Sequence, residues 1–187
     1  MARLCYSGFA AVVLAWIVIG VSWSLNPWFD FLEHAFSDLG VPGEANYPWV
    51  YNYGLIATGL LVIVYAIYLY RWSTFKPEVL SSGLMLVAGI FLALIGIYPG
   101  GTRPHVFVST WFFIQMDMAL IPLMYSLWRN RGYGPGLAGL ILALIAFPVY
   151  LLVEAVVGWP SVAAGEAYGI IIIDLAVIIA MAYQCRS

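Results

Sequence analysis

The chain has 187 residues, 64% of them hydrophobic and 9% charged, which excludes an ordinary soluble domain and indicates one integral membrane domain spanning residues 1–187. A net charge of -2 and the lack of any basic run exclude a nucleic-acid partner and a polybasic attachment to lipid headgroups.

In chain order, six apolar stretches are long enough to cross a hydrocarbon layer of about 30 Å, which takes about 20 helical residues. They cover residues 4–25, 49–70, 79–99, 106–128, 135–159 and 165–184. The expected fold class is therefore all-α: a polytopic bundle of six transmembrane helices. The first stretch follows Arg3 but is long for a signal peptide and has no small-residue cleavage pattern behind it, so it reads as a retained span. Pro122 and Pro148 lie inside spans and predict kinks, and small residues such as Gly54, Gly59, Gly89 and Gly165-x-x-x-Gly169 predict close helix approach. Cys5 and Cys185 stand near opposite ends of the chain, have no CxxC partner, and read as buried apolar fillers rather than as a disulfide or a metal site.

Six of the seven basic residues (Arg3, Arg71, Lys76, Arg129, Arg131 and Arg186) fall on the side that holds both termini, and Arg103 falls opposite. The positive-inside rule then predicts a cell-membrane protein with both termini in the cytoplasm.

Between the first and second spans lies the one long polar stretch, residues 26–40, which contains three of the nine carboxylates and one of the two histidines. Asn26 reads as an N-cap, Pro27 as the first helical position and Gly40 as the stop, so a short interfacial helix over about 27–39 is predicted on the extracytoplasmic face. On such a helix Asp30, His34, Ser37 and Asp38 share one side. His105 and Arg103 in the third connection, Asn52 at the head of the second span and Glu154 near the end of the fifth lie at the same face. Together these residues (His34, Ser37, Asp38, Asn52, Arg103, His105 and Glu154) form a candidate polar pocket.

Three readings of the pocket stay open. Two imidazoles and a carboxylate, His34, His105 and Asp38, are an adequate ligand set for zinc or another divalent metal, although no HxxxH or HExxH fixes two of them on one helix. A metal-free pocket for a polar ligand and a hydrogen-bonded latch for the interfacial helix use the same residues. Ser37 lacks the surroundings of a hydrolase nucleophile, and neither histidine is placed for haem. Arg103 reads as an ion-pair partner for Asp38, Glu44 or Glu166, or as an anion contact. Deeper in the bilayer, Asp117 and Asp174 form an intramembrane acidic pair near the midplane. They read either as packing groups hydrogen-bonded to a neighbouring helix or as part of a proton or cation path.

The order Phe36-Ser37-Asp38-Leu39-Gly40, Asn52-Tyr53-Gly54 with Gly59, and Gly96-Ile97-Tyr98-Pro99 ahead of His105 and Phe112-Phe113 resembles the "domain of unknown function 998" family of multi-pass membrane proteins. The likeness covers about the first two thirds of the chain. It implies a six-helix membrane domain in which Ser37, Asp38, Asn52 and His105 occupy polar family positions, and it implies no activity.

Three functions follow as expectations. One is an extracytoplasmic pocket for a polar ligand or divalent metal, extending to metal-dependent hydrolysis of a lipid or surface substrate. Another is a non-catalytic subunit whose partners are other membrane proteins as well as the bilayer. The third is a small proton- or cation-coupled transporter built on Asp117 and Asp174.

Overall fold

Apolar length dictates the architecture, because a helix is the simplest way for a backbone to satisfy its own polar groups inside lipid. The computed structural model describes residues 2–186, the side chains of Ala2 and Arg3 excepted. Among the described residues a 3-10 turn, Ala2–Cys5, leads into six α-helices: α1 (Tyr6–Leu25), α2 (Pro48–Trp72), α3 (Lys76–Ile97), α4 (His105–Arg129), α5 (Pro135–Val156) and α6 (Val162–Gln184). Each is long and apolar enough to cross a membrane. The chain is a multi-pass membrane protein of six helices, in agreement with its composition.

Each helix packs on the next in sequence, and α6 closes the ring by also touching α1 and α4. The tightest crossing joins α2 to α3. A Cβ added to Gly59 would lie 2.7 Å from the Gly89 carbonyl oxygen and 2.6 Å from the Ala93 nitrogen, so only glycine allows the two backbones to come this near.

The face of the bundle that holds both termini is tied together by polar bonds and one covalent bond. Helix α3 starts earlier than its hydropathy predicts: Glu78 is its third residue, and its carboxylate accepts hydrogen bonds from the backbone of Thr74 and Phe75. Glu78 is 0% exposed and is paired bidentately with Arg131, whose Nε and Nη2 lie 2.8 and 2.9 Å from its oxygens. The Arg131 guanidinium is 4.1 Å from the centre of the Trp72 ring and 5.1 Å from that of Phe75. Its hydrogen bonds to Glu78 hold it above the ordinary arginine range, outweighing its own desolvation. One ion pair thus fastens the α2–α3 connection to the α4–α5 connection.

The cysteines correct the expectation of two apolar fillers. Cys5 and Cys185 form a disulfide, with Cα atoms 5.8 Å apart across 180 residues of sequence. Ring closure by α6 against α1 brings together residues that sequence distance separates. The charge bias of this face includes Arg3, whose side chain lies outside the described residues.

The predicted interfacial helix over 27–39 also differs from what is observed. The segment folds as two turns followed by a five-residue 3-10 helix, Phe36–Gly40. A helix would set Phe29 and Phe31 about 200° apart, so that only one could face the bundle. In the turns both rings reach one cluster with Trp23 and Phe36, while Leu32, 59% exposed, is the residue turned out.

The Glu78–Arg131 pair sets a stability test. Arg131→Ala leaves a wholly buried carboxylate unpaired and is expected to cost about 3 kcal/mol, and Arg131→Lys, which loses the two-point geometry and ring stacking, restores only part of it. Thermal unfolding of the protein in lipid nanodiscs checks this; equal melting temperatures for wild type and Arg131→Ala would show that the clamp does not bear on stability.

Candidate functional site

The site is built on the excursion between α1 and α2, and Asn26 governs that excursion. Rather than capping a following helix, Asn26 ends α1. Its backbone N–H donates to the Trp23 carbonyl and its Nδ2 donates to the Ser22 carbonyl at 2.7 Å. Its Oδ1 accepts from the Trp28 indole at 3.0 Å and from the Asn46 backbone at 2.6 Å, and Nδ2 also reaches the Asn46 carbonyl at 3.2 Å. One buried side chain therefore holds both ends of the excursion, and its hydrogen-bonding capacity is filled.

The middle of the excursion is fastened to α6. Ser161 caps that helix by accepting from the Ala164 N–H, and its hydroxyl donates to the Phe31 carbonyl at 2.6 Å. Ala163 donates to the His34 carbonyl at 3.0 Å, and Phe36 donates to the Glu166 carboxylate at 2.8 Å. Helix α2 holds the far end, where Asn52 Nδ2 donates to the Gly40 carbonyl at 2.9 Å.

These bonds decide which of the expected pocket residues meet. His34 is engaged locally: its Nδ1 lies 3.0 Å from the Asp30 backbone nitrogen, and its ring packs on Trp28. Asp38 accepts from the Ala35 N–H at 2.9 Å and so caps its own 3-10 helix. Asn52 is the latch just described. Arg103 is exposed and has no ion pair among the described residues, so none of the expected partners Asp38, Glu44 and Glu166 is joined to it. Glu154 is exposed near the end of α5 and does not line the cavities described below. No three His, Cys, Asp or Glu side chains among the described residues are grouped to hold a metal ion.

Ser37 and His105 do come together. With Ser109 and Glu166 they line two neighbouring cavities inside the bundle. The smaller, about 100 Å³, runs down the centre past Tyr51 and Asp174 to Gly8 and Tyr65. The larger, about 360 Å³, lies between α4, α5 and α6 and reaches Asp117. Gly100 lets the α3–α4 turn approach closely, since a Cβ there would stand 3.1 Å from the Ser37 carbonyl oxygen.

His105 is the best-defined group. Its Nδ1 lies 2.8 Å from the Tyr98 carbonyl oxygen, which can only accept, so Nδ1 carries the proton and Nε2 of the neutral ring is the acceptor. Ser109 donates to the His105 carbonyl at 2.9 Å. Glu166, absent from the pocket expected of the sequence, supplies the carboxylate that Glu154 was expected to give.

The two intramembrane carboxylates separate. Asp174 accepts from the Trp16 indole at 2.7 Å and lines the central cavity. Asp117 lines the larger cavity with no hydrogen bond among the described residues. One matches the expected role of fixing helix packing and the other does not.

A family model described as "Protein of unknown function (DUF998)" matches residues 9–183, which extends the resemblance through the last third of the chain and past Glu166. None of the curated proteins and none of the solved structures matches the chain.

If Asn26 organises this face, Asn26→Ala should lower stability by about 3 kcal/mol, since several buried partners lose their hydrogen bonds at once. Trp28→Phe, which removes a single bond to the same oxygen, should cost about 1 kcal/mol. Unfolding curves in nanodiscs compare the two, and equal losses would mean that the asparagine does not bridge the excursion.

Proposed function

Because the chain belongs to the DUF998 family of proteins of unknown function, which brings no reaction with it, we propose from the geometry alone that this membrane protein binds an amphiphilic small molecule. The polar end of the ligand sits among Ser37, His105, Ser109 and Glu166, and its apolar body lies between α4, α5 and α6. The observation that carries this reading is the convergence of both cavities on those four side chains.

Other features support it. The Nε2 of His105 and the hydroxyl of Ser37 have no protein partner among the described residues, so both are free to bond a ligand. The lower walls of the larger cavity are mainly apolar and aromatic, which suits a hydrocarbon body. Helix α5 has buried residues only at Gly136, Gly139 and Ala143, so its second half is loosely seated and offers a way in from the bilayer. This reading relies on hydrogen bonding rather than metal ligation, and it is supported by the backbone bonds of His34 Nδ1 and Asp38 Oδ2.

The bias of basic residues supports an extracytoplasmic position for this pocket in the cell membrane. A fluorescent-protein fusion at the C-terminus should then be bright in a bacterial host and an alkaline phosphatase fusion inactive; the reverse pair of results would invert the orientation.

The pocket itself is tested with dodecanol carrying a photoactivatable diazirine, applied to the protein in zwitterionic nanodiscs. Labelling of α4 and α6 peptides should saturate, should be competed by plain dodecanol, and should fall about tenfold in His105→Ala or Glu166→Gln. Labelling that never saturates, or that is spread over the lipid-facing sides of α1 and α2, would remove the reading.

A further inference from the structure

The larger cavity has an uneven charge inventory. Among the described residues two carboxylates face it, Glu166 at its mouth and Asp117 deeper, and no lysine or arginine lines it. Asp117 stands twelve residues beyond His105 on α4, about 18 Å along the helix axis, at the depth of the hydrocarbon. Glu166 has the single backbone bond from Phe36, and Asp117 has none among the described residues. Arg103 is exposed in the α3–α4 turn, Arg129 is exposed at the far end of α4, and Arg131 is committed to Glu78 at that same end of the bundle.

Carboxylates in such a place are costly unless protonated or met by positive charge. The described lining provides no such charge, but it does provide aromatic walls, with Phe113, Phe147, Tyr150 and Tyr168 around the same space. Aromatic faces and a carboxylate are the two groups that hold an organic cation in an apolar setting. A phosphate- or carboxylate-headed molecule would meet repulsion and find no donor of positive charge.

We infer that the cavity between α4, α5 and α6 takes a lipophilic organic cation, a quaternary or protonated amine with an apolar body, held at its mouth by Glu166 and deeper by Asp117. This rests on the amphiphile-binding reading above and adds the sign of the ligand's charge. Protons compete with the cation for the same carboxylates. The titratable groups facing them are His105 on α4, Tyr150 on α5, Tyr168 on α6, Tyr51 on α2 and Asp38 in the 3-10 helix. Acidification neutralises the carboxylates, and that weakens cation binding.

The test uses the same diazirine label with three competitors of equal tail: dodecyltrimethylammonium, whose charge does not titrate, dodecanol and dodecyl phosphate. The ammonium compound should displace the label at a concentration about tenfold lower than the alcohol, and the phosphate should be the weakest. Its advantage should shrink as pH falls, and Asp117→Asn, which preserves shape, should reduce it about tenfold while leaving competition by dodecanol unchanged. Glu154→Gln, an exposed carboxylate outside the cavity, should leave all three competitors as they are. Equal potency of the three competitors would overturn the cation assignment and leave the amphiphile pocket standing, whereas absence of any saturable label removes both. A loss in Glu154→Gln as large as in Asp117→Asn would mean that the preference is bulk surface charge, which also overturns the assignment.

Discussion

Every non-helical stretch at the edge of a bilayer must find partners for its own N–H and C=O groups, and the stretch between α1 and α2 finds them through a few side chains. Asn26 closes one helix and clasps the far end of the excursion. Ser161 and Glu166 take up groups in its middle, and Asn52 takes up the end. Ser37 reaches the cavities because these bonds press its segment inward between α2 and α6. The candidate site is thus a by-product of backbone satisfaction: where the excursion is pinned, the polar atoms left over are those that face empty space.

The two ends of the bundle are built on different terms. At the termini face, a buried ion pair sandwiched by aromatic rings, a disulfide and the bonds from Tyr65 and Tyr68 to Gln184 draw α2, α3, α4 and α6 together. Toward the opposite face α4, α5 and α6 part enough to hold the larger cavity, and α5 leans on its neighbours there through an aromatic stack of Tyr150, Trp159 and Tyr168 rather than through buried small residues. Dense polar and covalent ties at one end and room at the other are what the proposed binding of an amphiphile would require.

The six spans were legible in the sequence because apolar length is a local property, and their ends shifted by only a few residues. What could not be read locally was decided by distant partners. The caps around residues 27–39 were real signals, yet Asn26 was claimed by Ser22 and Asn46, and the pair Phe29 and Phe31 could not both be buried from one helix. Ser37 and His105 line the same cavities, and the carboxylate beside them is Glu166 rather than Glu154: both stand about a turn from the same face, and only the direction each helix turns its side chain distinguishes them. That direction comes from packing. Cys5 and Cys185 show the same limit at the largest scale, since ring closure by α6 has no local sign.

The disulfide also bears on how the molecule is made. Its two sulfurs sit just before the first span and just after the last, so the bond can form only once all six helices have entered the membrane and α6 has found α1. It therefore acts as a seal on a finished assembly rather than as a guide during insertion. If the termini lie in the cytoplasm, that seal closes against a reducing pool that keeps most thiols free. A chain with this bond intact would then be one whose ring has closed tightly enough to shield Cys5, which is fully buried.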